Sequence, residues 1–410
     1  MPGFNLEDKT DWKWWVTPRG LYNKPVHRWF VFPHSFTSEL VQALIDDWHL
    51  DQSDYILDPF VGAGTTVLAA RERGVPARGY DIMPLAVMVT NVKSAGYDWQ
   101  SLSRQWQILQ ERLRFPVTEK PLPSYPELVQ KALPGKMLAA FDKIKGQIAS
   151  LTCSREAKDF FRLALLALIP EYSQALATGG WLQWVHRDKD ITSLPEAFAA
   201  RVEAMLDDLH QSKMPRQDLW LADQADARQL PDAGDTYSAV ITSPPYPNRH
   251  DYTRVYGIEL MFDFLSYEDT RQIRYQSLHS HPEARPERPA RNYEEPPQLT
   301  NIVTKLENIS TDRRIPRMIR GYFWDIYLCL QEMKRVCRPG GRIALVVGNA
   351  RYYGIAVPVD ELTAILGEQA GLTCSKIIVV RYRGNSAQQM GKYGRQPSRE
   401  SIVVFHKAAF

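Results

Sequence analysis

Gly62 and Gly64 stand between a β-prone run and a helical one. The run ending Ile56-Leu57-Asp58 reads as a buried strand, and the stretch from Val67 to Arg73 has helical spacing. A glycine turn between strand and helix fits an α/β fold with a ligand at the strand's carboxyl end. The two glycines let the backbone turn tightly and approach that ligand closely. The full loop is Asp58-Pro59-Phe60-Val61-Gly62-Ala63-Gly64-Thr65-Thr66. It lacks the Gly-Lys-Ser/Thr of a phosphate-binding P-loop. It also departs from the dinucleotide fingerprint, because Val67 stands where the third glycine belongs and the turn opens on Asp-Pro-Phe.

A second stretch narrows the ligand. Tyr237-Ser238-Ala239-Val240-Ile241 is a short apolar run, and Thr242-Ser243-Pro244-Pro245-Tyr246 follows it. Two prolines end the strand, since neither can donate a ladder hydrogen bond. A hydroxyl precedes them and an aromatic ring follows. Ser243 Oγ and the Pro244 carbonyl can accept hydrogen bonds from an amino group, while Tyr246 stacks on a flat ring. Taken alone, the same stretch reads equally well as a proline-rich turn.

Together, D-P-F-x-G-x-G-T-T and S-P-P-Y resemble the S-adenosylmethionine (SAM)-dependent amino-methyltransferases of DNA, which methylate cytosine N4 or adenine N6. The resemblance implies an α/β fold: a Rossmann-like class I methyltransferase sheet with a terminal antiparallel hairpin. It makes SAM the cofactor and implies cofactor contacts from Asp58, Phe60, Gly62, Gly64, Thr65 and Thr66. Phe32-Pro33-His34-Ser35-Phe36, ahead of a helix running to about Trp48, is similar to the family segment that closes over the SAM methionine, which adds Pro33 and Phe36. In the family, the residue pair after the third strand holds the adenine; here that is Asp226 with the Ala227 amide, with Asp223 as the rival. Ser243, Pro244, Pro245 and Tyr246 take the catalytic positions. Past them, Arg249, His250 and Tyr252 are expected to line the base pocket or touch a neighbouring phosphate, and His250 and Asp251 are read as positioning groups.

Asp81 closes the run Ala77-Arg78-Gly79-Tyr80, about twenty residues after the glycines, with Ile82 next. That is where nucleotide-binding α/β folds grip ribose hydroxyls. A helix N-cap ahead of Leu85 is the plainer role for the same acid.

Residues 1–99 are expected to hold an aromatic segment and the first half of the catalytic domain. Residues 100–216 read as a helical insertion, with helical spacing over 141–148, 157–169 and 194–209; it is a scaffold, a DNA-contacting lobe or a dimer surface. Residues 217–410 complete the catalytic domain, with a strand from Asp218 and a mobile polar loop at 266–320. Arg313, Arg314 and Arg317 in that loop, and Arg383 in the basic stretch Arg381 to Arg395, are expected at the DNA.

Net charge is only +3 over 410 residues, so any nucleic-acid surface must be local. Four scattered cysteines without a C-x-x-C pair argue against zinc and a disulfide framework, so no metal is expected. No leader-like or membrane-length apolar run is visible, which predicts a cytoplasmic protein. The absence of a Pro-Cys dipeptide separates the chain from cytosine C5 methylation, which needs an attacking thiolate. Ser at the first motif position goes, in the family, with cytosine N4 more than adenine N6. The expected partner is therefore double-stranded DNA, with a cognate restriction endonuclease; adenine N6 and an RNA amine stay open as alternatives.

Overall fold

The structure, a computed structural model, describes residues 3–114, 121–187, 189–212, 214–215, 219–285, 292–384, 394 and 396–409. Asp218 and most of the stretch from 385 to 395 lie outside the described residues. The strands are β1 (Leu6–Asp8), β2 (Ile56–Asp58), β3 (Ala77–Asp81), β4 (Ala175–Thr178), β5 (Trp181–Trp184), β6 (Trp220–Gln224), β7 (Tyr237–Thr242), β8 (Cys337–Gly348), β9 (Ala350–Tyr352), β10 (Ile355–Val357), β11 (Thr373–Arg383) and β12 (Ser398–His406).

Eight of them form one sheet in the order β1-β11-β12-β8-β7-β2-β3-β6. Strands β6, β3, β2, β7 and β8 are parallel. β12 runs antiparallel to both β8 and β11, which makes the terminal hairpin of the expected Rossmann-like sheet. All six residues of β7 and all three of β2 are buried, as befits parallel strands covered on both faces. Alternation then splits each strand between two cores. Ala239, Ile241 and Ala344 face helix Ser38–Trp48 and helix Thr65–Glu72. Val240, Ile343 and Leu345 face helix Arg314–Val336 and helix Val359–Gln369.

Between β3 and β6 lie helices Trp99–Arg114, Glu127–Ala132, Lys136–Ala149, Arg155–Leu166 and Leu194–Gln211, with the small hairpin β4–β5. Their apolar faces do not close on themselves. Trp106, Phe141, Phe160 and Phe198 share one core with Trp29, Phe30, Phe32 and Phe262. Asp208 fastens that joint: it accepts from Arg28 Nη2 at 2.6 Å and from the Trp29 indole N–H at 2.9 Å. Of the aromatic cluster near the start of the chain, Trp29, Phe30 and Phe32 are core, Trp12 and Trp15 pack partly buried on the core that holds Ala239 and Ile241, and Trp14 and Tyr22 are exposed.

One expectation is corrected. Residues 266–320 are not a continuous loop, since helix Tyr267–Gln276, helix Pro297–Ile309 and the first turns of Arg314–Val336 occupy much of the segment. Ser266 and Asp269 start the first of these with a reciprocal capping box. Leu299, Val303 and Leu306 give the second a buried stripe at helical spacing that the charged surroundings mask in the sequence.

Candidate active site

Because β7, β2 and β3 are neighbours, their carboxyl ends bring Ser243, Asp58 and Asp81 to one edge of the sheet. A cleft opens there, lined by residues that include Phe32, Phe36, Phe60, Ile82 and Met83. Gly62 and Gly64 both have positive φ, 50° and 81°. A Cβ on Gly64 would lie 2.8 Å from Thr90 Oγ1, so only glycine fits this turn. The turn is held from behind: the Lys93 ammonium donates to the carbonyls of Phe30 at 2.6 Å and Ala63 at 2.9 Å. Burial drives the Lys93 pKa down to about 7.

Three carboxyl residues, Asp58, Asp81 and Asp251, line this cleft, and the first two stand at the ends of adjacent strands. Asp81 accepts the N–H groups of Gly62 at 3.1 Å and Met83 at 2.9 Å. Burial nevertheless raises its pKa to about 6, against the pull of those donors. Asp58 accepts the Thr242 hydroxyl at 2.6 Å, and burial raises it likewise to about 6. Apolar walls with buried carboxyls suit a ligand that combines a flat ring, hydroxyl donors and positive charge.

On the other side of Ser243 lies a second, more polar cleft. Its lining includes Arg19, Arg249, Arg351, Arg381 and Arg383, with Glu400 as the sole acidic side chain among its lining residues. Ser243, His34, Ser35 and Tyr252 line both clefts, so Ser243 stands where they meet. Its hydroxyl donates to the Val346 carbonyl at 3.1 Å, which leaves its lone pairs for incoming donors. The Tyr246 hydroxyl donates to Glu400 at 3.1 Å, and the Arg383 guanidinium lies 5.8 Å from the Tyr246 ring centroid. Burial, with the Glu400 charge beside it, holds the Tyr246 phenol well above its usual range. His34 and His250 share a 2.9 Å hydrogen bond. Burial, then the charges of His250 and Arg383, drop the His34 pKa to about 4, so this imidazole is neutral at neutral pH.

The two clefts divide the sequence-predicted residues. Phe36, Asp58, Phe60, Gly62, Thr65, Asp81, Ile82, Ala227 and Pro245 line the first. Pro244, Tyr246, Arg249, His250 and Arg383 line the second. Some expectations are corrected. Pro33 lines the second cleft rather than the first, where its neighbours Phe32, His34 and Ser35 stand. Gly64 shapes the turn without lining the cleft. Thr66 is fully buried and its hydroxyl donates to the Ile241 carbonyl, because successive helix positions point about 100° apart. Asp226 is taken by Arg228, which donates from Nε at 3.0 Å and Nη2 at 2.7 Å; Ala225 and Ala227 form the cleft wall instead. Asp223 pairs with Arg78. Tyr252 walls both clefts. Asp251 pairs with Arg274 at 2.7 Å and caps its own helix, so it forms no couple with His250. Arg313 and Arg317 line a separate pocket with Arg320, and Arg314 pairs with Asp312 at 2.8 Å.

The sequence reading missed several lining residues. Ser277, Leu278, Ser280 and His281, from the segment read as a DNA-facing loop, wall the first cleft. His281 is buried; its Nε2 meets Ser277 Oγ at 2.8 Å, and its Nδ1 has no hydrogen-bond partner among the described residues. Nothing periodic in that polar stretch signals it. Lys93 did carry a signal, a lone cation on the apolar face of a helix.

The N6_N4_Mtase family model, described as DNA methylase, matches residues 6–91. The type II methyltransferase M.BsoBI of Geobacillus stearothermophilus is 28% identical over 440 residues, covering 94% of this chain and 86% of the relative. The type II methyltransferase M.AvaI of Nostoc sp. is 28% identical over 428 residues, covering 94% and 87%. Among solved structures, a putative sarcosine dimethylglycine methyltransferase from Galdieria sulphuraria covers 91% of this chain and 85% of its own, at 9% identity and a TM-score of 0.33. Among the described residues, no helix is long and apolar enough to cross a membrane.

Proposed function

We propose that this chain, similar to the SAM-dependent amino-methyltransferases of DNA, methylates the exocyclic N4 amine of cytosine within a specific sequence of double-stranded DNA. The modification half of a restriction–modification system is the role this reading gives it, with a cognate endonuclease as its partner and the cytoplasm as its place. The observation that carries the proposal is Ser243, which lines an apolar, carboxyl-bearing cleft on one side and a cationic cleft on the other.

SAM supplies an electrophilic methyl group on a sulfonium centre. Asp81 accepts the ribose hydroxyls, and its ionised form is favoured once those donors arrive. Ala227 offers its backbone amide to the adenine, while Phe32 and Phe36 cover the methionine end. Asp58 keeps a negative charge near the cationic ligand. His281 Nδ1, buried in the same wall, gains a hydrogen-bond partner from the bound cofactor.

Across Ser243, the target amine is delocalised into its base ring and is a poor nucleophile. Ser243 Oγ and the Pro244 carbonyl accept its two hydrogens, which favours a pyramidal nitrogen aimed at the methyl group. Tyr246 fixes the ring plane, and Glu400 fixes Tyr246 through the phenol. The gain is positioning and electrostatics. The base reaches this pocket by extrusion from the duplex, which costs a few kcal/mol. Arg19, Arg249, Arg351 and Arg383 supply phosphate contacts that offset it.

The serine in S-P-P-Y supports cytosine N4 over adenine N6. Nucleoside mass spectrometry on DNA from a methylation-free host expressing the chain tests this. N4-methylcytosine is the expected new peak. N6-methyladenine would keep the mechanism and overturn the base assignment, and an unmodified DNA pool would overturn the DNA reading.

A further inference from the structure

The hairpin β4–β5 presents two unlike faces. Its register pairs Ala175 with Trp184 and Ala177 with Leu182 on one side, and Leu176 with Gln183 and Thr178 with Trp181 on the other. Directly paired residues point the same way. The first side is anchored by Ala175, which is buried, and Leu182, which packs on the core, while Trp184 at its edge is 40% exposed with the Lys131 ammonium 4.2 Å from its ring centroid. The second side is open: Trp181 is 55% exposed and Leu176 38%. A two-stranded hairpin gains little stability by itself, and a large aromatic left half exposed on its open face adds only part of its burial energy.

The hairpin's position gives that ring a use. Its tip is pressed against the loop that follows S-P-P-Y: a Cβ on Gly180 would lie 3.0 Å from the Arg249 carbonyl and 3.0 Å from His250 Cα. Arg249 has a φ of 71°, a conformation costly for a side-chain-bearing residue, and its side chain lines the cationic cleft. The Arg254 guanidinium lies 5.3 Å from the Trp181 ring centroid. Trp181, Arg249, Arg254 and Arg314 line one small pocket at this rim. Glu283 and Asp251 share that pocket, and both are ion-paired to Arg254. An exposed indole among arginines, beside a cationic cleft, is the combination that binds nucleic acid through stacking and phosphate contacts.

We infer that the hairpin β4–β5 is a DNA-contacting element, and that Trp181 stacks on the duplex beside the extruded base and holds the gap open. This rests on the DNA reading proposed above and adds a residue from the helical insertion. Trp181 is a positioning residue here; it touches neither the methyl donor nor the target amine.

The probe is a short duplex carrying the site mapped by sequencing, with 2-aminopurine beside the target base. Trp181→Ala should lower the fluorescence gain on binding and raise the duplex KM by roughly tenfold or more. SAM affinity by calorimetry should stay at the wild-type value, which also reports an intact fold. A mismatched target base should restore most of the loss, because its extrusion costs less. Trp181→Phe should stay near wild type. Wild-type fluorescence and KM in Trp181→Ala would overturn the inference. So would a shift of the sedimentation coefficient toward monomer in that variant without a change in extrusion, which would assign the ring to a second copy of the chain. Failure of the wild type itself to methylate DNA would instead overturn the DNA reading.

Discussion

The two clefts that meet at Ser243 are built on opposite plans. The cofactor side has apolar walls and buried carboxyls, with Asp58 and Asp81 at the ends of adjacent strands. The target side is polar and open, with arginines drawn from residues 19, 249, 351, 381 and 383 around one carboxylate, Glu400. A cationic ligand with hydroxyls fits the first, and a polyanion fits the second. Ser243, with His34, Ser35 and Tyr252, stands between them. A transferase of this kind must hold two ligands of opposite charge without letting either enter the other's site, and the division of charge does this.

That division can be broken most severely from the target side. Tyr246→Ala removes the ring that sets the base plane and should lower kcat on the order of a hundredfold, leaving SAM affinity intact. Rapid-quench methyl transfer beside calorimetry checks the split. On the cofactor side, Asp81→Ala should weaken SAM binding about tenfold to a hundredfold, the worth of hydrogen bonds to a charged acceptor, and spare kcat at saturation.

The pH dependence sharpens the contrast. Ribose hydroxyls favour the ionised Asp81 carboxylate, so binding lowers its pKa. Burial holds that pKa at about 6 in the free protein. Affinity should therefore be steady above this value and fall by up to about tenfold per pH unit below it. Asp81→Asn should bind weakly and flatten much of the profile, the remainder coming from Asp58. A wild-type affinity that rises on acidification would contradict the assignment.

The smallest expected effect concerns a single phosphate contact. Arg383→Ala should raise the duplex KM a few-fold and reduce the salt slope of binding by about one, with SAM affinity unchanged. Glu400 stays paired in that variant, because Arg381 donates to it from Nε at 2.8 Å.

The same contrast explains what the sequence made legible. The cofactor side is written in short runs because a strand end, a tight turn and a helix start are local in chain. Gly62 and Asp81 could be placed from spacing, and so could the β7 strand that delivers Ser243. The target side is assembled from distant segments, so Arg19 and Arg351 carry no local sign of their role. Partner choice was also hidden: the resemblance that pointed to Asp226 is silent on Arg228, which occupies it. The polar stretch around Ser277 and His281 looked like a loop because its few buried residues sit between charged ones. The Rossmann-like sheet and its terminal hairpin followed from the family resemblance, whereas the fusion of the helical insertion with the aromatic segment through Asp208 did not.

The most direct test of the central claim, that Ser243 stands between separate cofactor and base sites, is one pair of measurements on Ser243→Ala. SAM affinity by calorimetry and single-turnover methyl transfer to duplex DNA are read on the same preparation. The account predicts wild-type affinity with transfer slowed by about tenfold to a hundredfold, the loss of one acceptor to the amine. Equal losses in both would place Ser243 inside the cofactor site and contradict the two-cleft arrangement.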